Sequence, residues 1–309
     1  MVPPAEVRSY YNRPVLKEPV WKWYIPAYLF AGGLAGASSL LAAGGGRLGY
    51  RVLARRSRLT ALASISVGAV LLVGDLGRPK RFYNMLRVAK VTSPMSVGSW
   101  VLAGYAPAAG TAALSDALQI LPLVGTVADI TAGALGAAVS TYTGVLLADT
   151  AIPAWHEARR ELPFLFAAGA AASAGAVAAI VTPAGDAGPA RRLAVGGALA
   201  ELALTRVMED RLGDLAEPYH LGRAGQLGKG ARWLAAMGGA VIALLGRRRG
   251  PAVAGGIMVA AGAACTRFAV FEAGKASARD PKYVVGPQRQ RLATVTDASE
   301  LAAPRSSGH

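Results

Sequence analysis

Tyr142 and Asp149 are the residues best placed to do chemistry, seven apart in the stretch Ser140 to Thr150. On a helix that spacing puts both on one face, about 10 Å apart along the axis. Pro153, Trp155, His156 and Glu157 follow at once. A phenol a turn or two below a surface, leading to a carboxylate and an imidazole at that surface, suits a quinone headgroup. Quinone reduction takes up two electrons and two protons, so its carbonyls need hydrogen-bond donors and a path to water. Tyr28 offers a second phenol. It falls at spacings of three and four with Glu18, Trp21 and Tyr24 or Ile25, on one side of a helix whose first turn holds Pro26. Trp21 and Trp23 read equally well as an interfacial aromatic belt.

Asp75 and Arg78 are three apart at the end of an apolar run and are expected to pair, either as a structural cap or beside the same ligand. Beyond them, Thr92 to Trp100 opens another helix with hydroxyls able to cap it. Glu201 and Asp129 lie inside apolar runs, where an ionisable group is usually paired or functional. Arg206 and Arg267 are expected to pair with Glu209 and Glu272. Glu201 then has no partner, so it is a candidate for a proton route between the phenols and the opposite side, with Asp129 a second candidate of the same kind.

The elements that must carry these residues are membrane helices. Charged residues are 17% of the chain, against roughly 25% in soluble proteins, and mean hydropathy is +0.36. Apolar runs cover 24–46, 59–76, 97–114, 122–149, 163–182, 192–209, 231–246 and 251–271. Most approach the ~20 residues that cross a hydrocarbon core. The expectation is an all-α membrane protein of about eight transmembrane helices, arranged as two four-helix bundles. Small-residue pairs such as Gly32/Gly36 and Gly133/Ala137 allow close backbone approach. Residues 1–23 read as an interfacial segment without a cleavable signal, 24–271 as the transmembrane domain and 272–309 as a polar tail.

The net charge of +15 does not call for nucleic acid, because Lys and Arg gather in membrane-protein loops. They are more numerous on the side shared by both termini, which is therefore expected to be cytoplasmic at a bacterial inner membrane. One cysteine, Cys265, cannot hold an iron–sulfur cluster, and the three histidines all fall outside the runs. Haem, a cluster or another metal site within the chain is not expected.

Taken in order, Trp21-Lys22-Trp23, Gly32 to Gly36, Gly77-Arg78-Pro79 with Arg81-Phe82, Thr92 to Trp100, and Tyr142-Thr143-Gly144 with Asp149 resemble the polysulfide reductase membrane-subunit family, also called NrfD-like. The specific match covers roughly residues 10–165. The resemblance implies a metal-free subunit that binds menaquinone ahead of ubiquinone near one membrane face. It implies a ferredoxin-like iron–sulfur subunit docked there, serving a molybdenum or tungsten catalytic subunit of the formate dehydrogenase or polysulfide reductase type. By motif position Tyr142 matches the family's quinone-contacting tyrosine, while Tyr28 and Ile25 stand where relatives carry histidine and asparagine. Trp21, Asp75, Arg78, Trp100 and His156 complete the expected quinone surroundings. A transporter or channel and a passive anchor without quinone are the competing functions.

Overall fold

The computed structural model describes residues 16–285, and among these the secondary structure is helical with no strand. The N-terminal segment before residue 16 and the tail beyond residue 285 lie outside the described residues. Eight long helices follow one another: α1 Tyr24–Arg47, α2 Arg51–Asp75, α3 Pro94–Leu118, α4 Pro122–Ala148, α5 Leu162–Val181, α6 Gly188–Leu212, α7 Gly222–Leu245 and α8 Arg249–Arg279. Five of them, α1, α2, α4, α5 and α8, are long and apolar enough to cross a membrane. The apolar runs located all eight. In α6 and α7 the runs are interrupted by charges such as Arg206, Glu209 and Arg232, which lower their hydropathy.

Local chemistry sets several of the ends. Ser93 caps α3 by accepting the Ser96 N–H at 3.5 Å, and Pro94 follows it where a missing N–H costs nothing. Three helices run well past their apolar stretches, α2 and α7 at their starts and α8 at its end. The first turns of α2 carry Arg51, Arg55, Arg56 and Arg58, good helix formers that hydropathy does not register. Past Phe271, α8 continues through Glu272 and Lys275 to Arg279.

The helices form two rings of four. In the first, α1 packs on α2 and α4, and α3 on α2 and α4; in the second, α5 and α7 each pack on α6 and α8. Contacts of α1 with α5 and α8, and of α4 with α5, join the rings. The α1/α4 contact is backbone to backbone: a Cβ on Gly36 would collide with the Gly136 carbonyl, and one on Gly133 would sit 3.1 Å from Ala43 Cβ. Small residues thus let α1 sink into the middle of the molecule, where 78% of its most apolar stretch is buried.

Alternating helix direction brings the start of α1, the end of α4 and the end of α8 to one face. Salt bridges close that face: Glu18 pairs with Arg279 at 2.7 Å and with Lys275 at 3.1 Å, and Glu161 with Arg211 at 2.5 Å. The described ends of the chain therefore meet on the same side.

Candidate functional site

Tyr28 and Tyr142 meet near this face. Their hydroxyls are in direct contact across α1 and α4, although 114 residues separate them. Each ring is seated on glycine. The Tyr28 ring lies 3.6 Å from where a Cβ on Gly68 would stand, and a Cβ on Gly98 would overlap the Tyr142 ring. Leu71 and Leu72 of α2 and Leu102 of α3, like Tyr142 itself, pack against the apolar cluster that holds Tyr28 and Ile25. Tyr28 is 3% exposed. The result is two phenolic O–H groups at one point beside an apolar cluster, about a turn in from the start of α1.

Above them stands an aromatic stack. Trp21 lies over Trp155 with ring centroids 5.9 Å apart, and Trp155, fully buried, packs on Phe271 and donates to the Val270 carbonyl at 2.7 Å. A Cβ on Gly274 would fall inside the Trp155 indole. Tyr219 donates to the Ala154 carbonyl at 2.8 Å and secures the same short segment. Sequence reasoning noted Trp155 only as a neighbour of His156. Nothing local announces its role, because the glycine that receives it lies on a different helix.

The other expected site residues are spread along the face. Asp75 accepts the Lys22 backbone N–H at 3.3 Å, so it ties α2 to the start of α1 and does not pair with Arg78, which is exposed. The expected Asp75–Arg78 pair is replaced because the helix ends at Asp75 and Gly77 takes a positive φ of 67°, which turns Arg78 away. Trp100 is 48% exposed, and its indole N–H reaches the Val88 carbonyl at 3.3 Å. Asp149 is exposed just beyond α4, and His156 Nδ1 lies 3.2 Å from the Ala148 carbonyl. Both stand at the water boundary and neither touches the phenols.

The charges within the helices are partnered differently from expectation. Arg206 pairs with Asp210 at 3.2 Å, one turn on, and Glu209 with Arg232 at 2.8 Å. Asp129 takes a bidentate contact from Arg58 at 2.9 and 3.2 Å near the opposite face. Glu201 does have a charged neighbour, Arg267. Glu201 Oε1 and Arg267 Nη1 lie 2.9 and 3.1 Å from the position of a Cβ on Gly169, so only a glycine fits between them and α5. Sequence position alone does not show this, because helical side chains lean toward the N-terminus. From α8 the arginine therefore reaches back to the level of Glu201.

Arg267 Nη2 donates to the Phe166 carbonyl at 2.5 Å, and its guanidinium sits 4.0 Å over the Phe166 ring. Its Nε and Nη1, and both Glu201 oxygens, have no hydrogen bond within 3.5 Å. A cavity with a water-accessible volume of 30 Å³ adjoins Glu201, Thr205, Thr266 and Glu209. That is room for water, which such orphaned polar atoms recruit.

Outside the eight long helices, Glu18 is held below the usual carboxylate range by its hydrogen bond to Arg279, helped by Lys275. Glu217 is lowered likewise by Lys282 and Tyr283. Among the described residues no cluster of His, Cys, Asp and Glu is arranged to hold a metal.

A helical bundle with five membrane-length apolar helices, with charged side chains at both of its ends, defines a polytopic membrane protein. The family model for polysulphide reductase, NrfD, matches residues 13–277, and the chain belongs to that family. Its members are membrane subunits of oxidoreductase complexes and work with other redox subunits. No curated protein matches the chain.

Proposed function

We propose that this chain is the quinone-reactive membrane subunit of a multisubunit respiratory oxidoreductase, with all eight long helices crossing the bilayer. The observation that carries the reading is the convergence of the Tyr28 and Tyr142 hydroxyls, from two helices, at the apolar cluster on which Leu71, Leu72 and Leu102 also pack. Those residues fit a quinone, menaquinone by preference: apolar side chains for the ring and phenols able to donate to a carbonyl oxygen. A bound quinone supplies a two-electron, two-proton couple at that point. The phenols orient it, and Asp149, at the water boundary of the same helix face, takes up or releases protons. Trp21 and Trp155 screen the phenols from the face. A ferredoxin-like iron–sulfur subunit docks on that face and connects to a molybdenum or tungsten subunit. The wide pairing of Glu18, Lys275 and Arg279 gives it a rigid floor.

Glu201 is assigned to a proton route. Asp129 is occupied by Arg58, whereas Glu201 keeps free lone pairs beside a cavity that reaches Glu209.

The test is quinone turnover by the purified complex. Tyr142→Phe removes one donor and is expected to lower it about tenfold, the worth of one hydrogen bond of about 1.4 kcal/mol, with the assembled complex intact. Unchanged turnover favours the passive anchor, a reading the same contact allows, since two hydroxyls that satisfy one another need no ligand. Glu201→Gln is expected to slow proton-coupled turnover while leaving quinone content unaltered, and full activity in that variant removes Glu201 from the route.

A further inference from the structure

At the face opposite the phenols a groove of 400 Å³ opens between the start of α6 and the end of α7. Arg191, Arg192 and Arg247 line it above an apolar wall of Val195, Ile242 and Ala243. Arg191 is fixed in place: its Nη1 donates to the Ala184 carbonyl at 2.7 Å, and its Cδ lies 2.9 Å from where a Cβ on Gly246 would stand. Arg192 and Arg247 are exposed, and among the described residues none of the three has an ion-pair partner. The adjoining loop, 182–188, contributes one carboxylate, Asp186. Asp116 and Asp129, the other acids of this face, are taken by Arg58.

The depth of the groove is set by its neighbours. Arg249 donates to the Ala179 and Thr182 carbonyls at 3.2 and 3.0 Å, tying the start of α8 to the end of α5. Both are apolar enough to span, so the groove lies where membrane helices meet water. The basic residues of this face, within 47–58, 191–192 and 247–249, are all arginines, without a lysine. A guanidinium grips phosphate through a two-pronged, weakly hydrated fork, which an ammonium lacks.

We propose that this groove binds the headgroup of an anionic phospholipid. Arg191, Arg192 and Arg247 hold the phosphodiester, and the acyl chains lie along Val195, Ile242 and Ala243. Free phosphate offers the same charge but leaves the apolar wall bare, so the lipid is the occupant that uses both halves of the site.

The full chain, delipidated in detergent within its complex, is titrated with phosphatidylglycerol, phosphatidylcholine or inorganic phosphate and followed by native mass spectrometry and Tm. Phosphatidylglycerol is expected to bind at least about tenfold more tightly than phosphatidylcholine and to raise Tm. Arg192→Gln, altering one exposed side chain and so sparing the fold, is expected to reduce that preference, and the triple Arg191, Arg192, Arg247→Gln variant to abolish it. Arg51→Gln with Arg56→Gln, on the same face but away from the groove, is expected to leave it unchanged. Equal affinity for the two lipids, an undiminished preference in the groove variants, an equal loss in the Arg51 and Arg56 control, or equal stabilisation by inorganic phosphate overturns the proposal.

Discussion

On one side of α1 two neutral phenols meet beside an apolar cluster; on the other, about one turn deeper, a carboxylate and a guanidinium face each other over a glycine. Tyr28 points into the first ring of helices, and Gly33, 3.8 Å from the Arg267 guanidinium by its Cβ position, faces the second. The phenols need only one another or a single ligand to be satisfied. The charged pair keeps four polar atoms without a hydrogen bond, a far greater desolvation burden in an apolar interior. Neutral groups can be exposed to an exchanging ligand at little cost, whereas buried charges must be locked. This difference suits the first ring to binding and the second to holding charge at a fixed depth.

The contrast breaks most visibly if one charge is removed. Arg267→Leu or Glu201→Leu alone strands the other and is expected to destabilise by about 3–5 kcal/mol. The double leucine variant is expected to recover most of the loss in a thermal melt. Additive losses would mean that the two charges do not depend on each other. Next comes the seam above the phenols. Gly274→Ala drives a methyl into the Trp155 indole and is expected to cost about 1–3 kcal/mol, against no change for Gly250→Ala, which meets nothing within 4 Å. Equal melting temperatures for the two would contradict the packing described for Trp155.

A sharper test moves the phenol without removing it. Gly98→Ala displaces the Tyr142 ring and is expected to depress quinone turnover more than it depresses melting temperature, the reverse of the Gly274 pattern. The smallest effect is at the face. Because the Glu18 carboxyl is lowered by Arg279, its contribution is present above the ordinary carboxylate range and is lost as pH falls through the lowered value. Acidification is expected to speed proteolytic cutting near Arg279 at the end of α8, and Glu18→Gln to cut at the faster rate throughout.

Much of the fold was legible. Hydrophobic runs located every long helix, and glycine spacing marked α1 and α4 as able to pack closely without saying that they pack on each other. The runs misplaced the starts of α2 and α7 and the end of α8, because hydropathy falls at charged residues such as Arg58, Lys229 and Glu272 while helix propensity does not. At the site, Tyr28 and Tyr142 each carried a helical register, but their meeting depends on which helices are neighbours, and a register is silent on that. The proximity of Glu201 to Arg267 was missed for a related reason: sequence position gives the depth of a backbone, and a long side chain reaches back by about a turn.

The burial of α1 has a consequence for biogenesis. This helix needs α2, α4, α5 and α8 around it, so the earliest of the described helices to be synthesised is among the last to be fully covered. Until α8 emerges, Gly33 and its neighbours stay open to lipid, a surface of small residues that lipid tails fill poorly. A chain halted before α8 is expected to leave that surface uncovered, so the bundle closes at its centre only when its last long helix is in place.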